Sequence, residues 1–231
     1  MKPFVPIRST PLFFAVVALG LVLSGTPGTA QVVRLDEGSF EIFRDGELVG
    51  SESFTVRRVG LGRTASIVLQ GRTVLDGIEI ESILETTTEW VPLEYQQTRS
   101  GADASTIELT AQRQRYTAVT TNARGEGERE FRAGRTTVIL DAEVAFLYNA
   151  VAARPAADVL TALHPALDRQ LRLTLENLGP EAYAFGARTL TVRRLRLEGT
   201  EDLRELLVDD QNRVLLVSIP ARRWVARRTP E

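Results

Sequence analysis

Phe40-Glu41-Ile42-Phe43-Arg44-Asp45-Gly46-Glu47-Leu48-Val49-Gly50 is the stretch from which the fold is read. Phe40 and Ile42, with Arg44, fall on one face of an extended chain. Asp45-Gly46 stands where the chain must turn, and Leu48, Phe54 and Val56 resume the pattern beyond it. Asp-Gly between two alternating runs marks a hairpin, because both residues tolerate positive φ.

The same period of two continues outward. Ala65, Ile67 and Leu69 alternate with Ser66 and Gln70, and a long run spans Thr73 to Trp90. Within that run Asp76-Gly77 reads as a turn or a bulge, since Ile78, Ile80, Ile83 and Leu84 slip out of strict alternation. Pro92 breaks the run; strands are expected over Leu93–Arg99, Ser105–Leu109, Arg113–Thr121, Gly127–Ala133 and Thr136–Leu140. At Asp141 the period changes. Val144, Leu147, Tyr148 and Val151 recur at helical spacing, with Asp141 placed as a cap and Pro155 as a stop, so the pattern predicts a helix of about three turns over Asp141–Ala153. Asp158–Leu163 reads as a second short helical turn, ended near His164-Pro165.

Strand character then returns. Leu171, Leu173 and Leu175 alternate with polar residues, Asn177-Leu178-Gly179-Pro180 reads as a turn, and Ala187–Glu198 is an arginine-decorated strand. Leu203–Val208 and Arg213–Ile219 form a hairpin around Asp209-Asp210-Gln211-Asn212, and Trp224-Val225 closes the sheet. At least nine strands with one-sided alternation imply an antiparallel sheet that must curl, sandwich or close to cover its apolar face. The expected fold is mainly β: a long curled antiparallel sheet, half-barrel or open barrel, with one principal helix near 141–153 inserted as lid or plug.

Three stretches resemble the exported proteins grouped as domain of unknown function 3108. They are Phe40 to Gly50, Val138-Ile139-Leu140-Asp141 with the helix to Ala153, and the closing run Leu207 to Pro220. The resemblance implies a curled antiparallel sheet related in shape to periplasmic lipoprotein carriers. It implies no catalytic motif.

Residues 1–30 point to the compartment. Lys2 and Arg8 precede an apolar run from Leu12 to Leu23, and Gly28 and Ala30 prepare a cut before Gln31. This is the layout of a secretory signal peptide, and the run falls short of the roughly 20 residues that span a bilayer. Residues 31–231 then form a single exported β domain, periplasmic or otherwise outside the cytoplasm, without a stable membrane span. They carry 26 basic residues, all arginine, against 30 acidic ones, which argues against a nucleic-acid partner. With no cysteine there are no disulfides and no thiol chemistry.

Catalytic signals are sparse. His164 is the single histidine, so no multi-histidine metal site is expected; it is a lone general-base candidate or an ordinary histidine at an element end. No Gly-x-Ser-x-Gly elbow occurs. Asp141 with Glu143, and Asp209 with Asp210, are carboxylate pairs whose simpler roles are caps and turns. Asp209, Asp210 and Asn212 lack the spacing of a calcium loop. Arg188, Arg193, Arg194 and Arg196, joined by Arg222, Arg223, Arg227 and Arg228, form a basic face for anionic headgroups, or a solvated one paired with Glu198, Glu201 and Glu205.

No cofactor is implied. Phe146, Tyr148, Trp90 and Trp224 are the candidate ligand contacts: they either complete a solid core or cover a cavity for an acyl chain, and both uses need the same side chains. The leading expectation is an exported, non-enzymatic protein that binds or carries an apolar or amphiphilic envelope ligand. An assembly module contacting another envelope protein is the alternative, and an envelope hydrolase the third reading.

Overall fold

The structure, a computed structural model, describes residues 31–155, 159–199 and 202–230. The proposed signal peptide lies outside the described residues. Eight strands form a meander: β1 (Val32–Arg44), β2 (Glu47–Val59), β3 (Ser66–Leu75), β4 (Ile78–Thr87), β5 (Pro92–Arg99), β6 (Ser105–Gln112), β7 (Arg115–Asn122) and β8 (Gly125–Arg132). The short β9 (Thr137–Ile139) follows. After a buried excursion come β10 (Val159–His164), β11 (Arg169–Phe185), β12 (Arg188–Gly199), β13 (Arg204–Val208), β14 (Val214–Ile219) and β15 (Trp224–Arg228).

All of these strands belong to one sheet, in the order β8-β7-β6-β5-β4-β3-β2-β1-β15-β14-β13-β12-β11-β10-β9. That order is the chain's own sequence closed into a ring, with a break between β8 and β9. The sheet curls but does not close. Near the break the Gln170 amide donates to the Arg132 carbonyl at 3.0 Å, drawing the end of β8 against β11. Every pair is antiparallel except β9 with β10. Asp45-Gly46 and Asp76-Gly77 are both tight turns with positive φ at each position, which resolves the second as a turn.

The alternation read from Phe40 and Ile42 places Phe54, Val56, Leu69, Leu84, Tyr95, Leu109, Leu197 and Val217 on the concave face, in one continuous core. The segment between β9 and β10 fills the curl. Val144 to Val151 are buried on every side, with Phe146, Leu147 and Tyr148 fully so. Of the two expected roles, lid or plug, the segment takes the second.

Three expectations need correction. The helix is shorter than Asp141–Ala153: a 3-10 turn over Phe146–Tyr148 runs into α1 (Asn149–Ala152). Asp141 instead forms a turn, its Oδ1 accepting the Glu143 N–H at 2.9 Å and its backbone bridging to Val144. Helical spacing misled here because the segment is apolar all round. Second, Val159–His164 is a strand, not a helical turn; Asp158 lies outside the described residues. Leu160, Ala162 and Leu163 are all buried, so no alternation marked it. Third, Asn177–Pro180 is not a turn. The long strand β11 passes through it with a bulge at Gly179 (φ +100), whose N–H donates to Asn177 Oδ1 at 3.0 Å.

Gly71 on β3 shows how closely the plug is seated. A Cβ added there would lie 2.5 Å from two ring carbons of Phe146 and 3.0 Å from the Ser53 carbonyl. We expect Gly71→Ala to lower unfolding stability by about 1–3 kcal/mol, as overpacked cores do. Urea unfolding of the two proteins measures it.

Candidate functional site

The plug is tied to the sheet by three polar side chains. Glu52 on β2 shares the concave face with Phe54 and Val56 and is 1 % exposed. Its Oε2 accepts the Ala145 N–H at 2.9 Å and the Thr73 hydroxyl at 2.8 Å, while Oε1 accepts the Phe146 N–H at 2.7 Å. A carboxylate from a distant strand thus satisfies the first N–H groups of the short helical segment, the role a local cap normally fills. Burial pushes the Glu52 pKa up to about 7 against the pull of these hydrogen bonds, and the charge of Asp141 adds to the rise.

At the other end Arg154 donates from Nη1 to the Arg135 carbonyl at 2.6 Å, and from Nη2 to the carbonyls of Trp90 and Thr137 at 2.7 and 2.9 Å. Between them Asn149 donates to the Phe146 carbonyl at 2.9 Å and accepts the Val214 N–H at 3.4 Å, holding α1 to β14. These contacts fix backbone groups of the plug and of the strands beside it.

A cleft of about 390 Å³ opens where the plug begins. Gln97 and Arg99 of β5, Asp141 and Glu143 of the plug, His164 at the end of β10, and Arg222 line it. Two similar turns frame it. His164-Pro165-Ala166-Leu167 and Ile219-Pro220-Ala221-Arg222 each run from an extended residue through a proline-led 3-10 turn to a left-handed residue, Asp168 or Arg223. Gln97 donates to Asp141 Oδ2 at 3.1 Å, Arg99 pairs with Glu143, and Arg222 pairs with Asp202. Asp141, Glu143 and His164, the hydrolase candidates, therefore do share one cleft. Both carboxylates are already engaged as acceptors, which suits a wall for recognition better than acid–base work. Asp209 is likewise occupied, accepting the N–H groups of Gln211 and Arg213 and an ion pair from Arg213.

The four candidate ligand contacts do not form one site. Phe146 is fully buried with its ring 6.3 Å from that of Phe54, which stacks in turn on Phe40 at 5.3 Å. Tyr148 is also fully buried, and burial pushes its pKa up to about 12. The neighbouring Arg204 draws that value back through its charge and its approach to the phenol oxygen. Trp224 is buried at the start of β15. Trp90 is half-buried in the β4–β5 turn with φ +64, at the opposite end of β5 from Arg99, and its carbonyl serves Arg154. Phe146, Tyr148 and Trp224 are core residues, and Trp90 packs against that core.

The basic cluster pairs with other acids than Glu198 and Glu205: Arg194 with Glu181, Arg222 with Asp202, Arg223 with Asp45, and Arg228 with Asp36. Glu201 lies outside the described residues. Sequence reasoning missed Glu52, Arg154 and Arg204. Parity could have found two of them, since Glu52 falls in step with Phe54 and Val56, and Arg204 with Leu206 and Val208. A charged residue on an apolar face is the signal. Among the described residues no helix is long and apolar enough to cross a membrane, and no group of three or more acidic or histidine side chains is placed to hold a metal ion. No protein-family model, curated protein or solved structure matches the chain.

Proposed function

We propose that this is an exported, non-enzymatic binding protein that takes an amphiphilic molecule of the cell envelope into the concave face of its sheet, where the plug now lies. One observation carries the reading. The concave face of an open sheet is filled by a single short segment, residues 141–154, retained by a few polar ties rather than by strand pairing. Displacing Phe146, Leu147 and Val151 would leave an apolar groove, and burying an acyl chain there returns about 0.8 kcal/mol per methylene. The cleft beside Asp141 and Arg222 would hold the polar end. The signal-like sequence of residues 1–30 and the resemblance to exported proteins support the compartment.

The test is purification of the protein from its native host, followed by solvent extraction and mass spectrometry. A stoichiometric amphiphile is expected. Preparations that are consistently free of one, and that fail to take one up when offered, would overturn the reading.

A second reading has its own observation. β15 pairs with β1 only over Phe40–Arg44, so the other edge of Val32–Gly38 carries no strand, and Val32, Val33 and Leu35 are exposed there. An unpaired apolar edge accepts an added strand. In-cell crosslinking from this edge to a stoichiometric envelope protein would favour assembly over carriage.

A further inference from the structure

A hairpin arm, formed by the far ends of β11 and β12, leaves the sheet on its convex side. At the Gly179 bulge the parity of β11 shifts by one. Before it Leu175 faces Leu197 in the main core; beyond it Glu181 faces Val192 and Tyr183 faces Leu190. β12 keeps its own alternation, so Leu190 and Val192 lie on the opposite face from Leu195 and Leu197. β10 pairs with β11 only as far as Thr174, and β13 with β12 only from Arg193. Residues 181–192 are therefore a two-stranded ribbon with no strand beside it among the described residues. Such a ribbon is marginal by itself. Its apolar side closes over Leu207 and Leu215 instead, in a small second cluster apart from the main core.

The cover is incomplete at the tip. A cavity of about 290 Å³ remains between the tip, the start of β14 and the end of β15. Phe185, Leu190, Leu215 and Pro230 give it an apolar surface, and Leu215 is fully buried. The tip is seated against the chain beyond β15: a Cβ added to Gly186 would lie 3.1 Å from Pro230. The charged residues of the lining are all arginines, Arg188, Arg213 and Arg228, and no acidic side chain joins them. Arg213 is matched by Asp209 and Arg228 by Asp36. Arg188 is exposed and has no carboxylate at ion-pair distance among the described residues. The hollow is thus apolar with one positive charge in excess. An engineered cavity of about 150 Å³ holds benzene, and ligand pockets begin near about 300 Å³, so the volume suits one or two rings.

We propose that the space under the arm tip binds one compact aromatic carboxylate. Its rings lie among Phe185, Leu190 and Leu215, and its carboxylate pairs with the Arg188 guanidinium, whose planar fork matches two oxygens. The site lies on the other face of the sheet from the plug and uses none of residues 141–154. It therefore stands whether or not the plug is ever displaced.

The test is calorimetric titration of the protein with 2-naphthoate, with its neutral counterpart 2-naphthylmethanol, and with acetate. Naphthoate is expected to bind about tenfold or more tightly than the alcohol, the gain a charge-assisted contact provides. Arg188→Gln should remove that preference and Arg188→Lys should retain part of it. Both changes are at an exposed position and are expected to leave Tm unchanged. Amide shift changes on adding naphthoate should fall on Gly186, Leu190 and Leu215. Equal binding of naphthoate and the alcohol would overturn the proposal, as would a preference indifferent to Arg188→Gln, or no binding of either. Acetate binding as tightly as naphthoate would overturn it too, since the apolar surface would then contribute nothing. Shift changes centred on Ala145 and Phe146 would overturn the arm site while supporting the concave one.

Discussion

Phe146→Ala is expected to cost about 3–5 kcal/mol of unfolding stability, the range for removing a fully buried phenylalanine. The ring is fully buried, stacks on Phe54, and rests directly on the backbone of Gly71. Its neighbours are strand residues tied on both sides, so the space can collapse only in part. For a domain whose whole stability is about 5–15 kcal/mol the loss is large but survivable. The cavity left behind would be apolar, and such cavities take up benzene-sized molecules. The variant is therefore expected to be stabilised by benzene, and the parent not. Gly71→Ala provides an internal check, because its added methyl projects into the space Phe146 vacates. The double variant should be less destabilised than the sum of the two single ones. Simple additivity, measured by urea unfolding, would show that Phe146 does not sit where the structure places it.

The second large effect is a pH dependence centred on Glu52. Burial raises its pKa from 4.5 to about 7 in the folded protein. The folded state therefore holds this proton more tightly than the unfolded chain does. The sign follows: the group imposes no penalty below pH 4.5, and as pH rises towards 7 and above, folding must bear the ionisation of a buried carboxyl. The shift corresponds to about 3 kcal/mol. Glu52→Gln has nearly the same shape and cannot ionise. The stability of the parent relative to this variant is expected to fall by about 3 kcal/mol between pH 4.5 and pH 8, with common titrations cancelling in the difference. A difference that stays constant over that range would refute the burial of Glu52 against the plug. Should the prediction hold, keeping Glu52 sealed from water beneath the plug costs most at neutral pH and above, even though the hydrogen bonds from Ala145 and Phe146 strengthen on ionisation, so a ligand competing for the concave face would meet least resistance there.

The fold was largely legible because one face of the sheet is wet. Phe40, Ile42, Phe54 and Val56 alternate with polar neighbours, and Asp45-Gly46 announces its turn, so pattern and turn chemistry agree. The pattern failed where neither face is wet. Leu160, Ala162 and Leu163 are buried regardless of parity and read as a helix. The plug likewise gave a helical period too early, because its effective cap is Glu52, 94 positions before Phe146 and invisible to any local rule. Asn177 and Gly179 suit a bulge as well as a turn, and only the partner strand β12 decides between them.

The site was less legible. Core and cavity call for the same aromatic side chains, and in the fold Phe146 and Trp224 behave as core and Trp90 as a turn residue. What distinguishes Tyr148 is the buried arginine beside it, brought there by a strand more than fifty positions later. The parity of Arg204 with Leu206 and Val208 is present in the sequence; that it meets Tyr148 of the plug appears only once the strands are assembled.

Hydrogen exchange tests the central idea most directly: that segment 141–154 is a seated but separable plug. Its amides, those of Ala145 and Phe146 above all, should be protected in the free protein, yet open at a lower free energy than the amides of β2 and β3. A saturating amphiphile should then abolish their protection while leaving the sheet unchanged. Plug amides that exchange only through global unfolding, or that exchange as fast as an exposed loop, would contradict it.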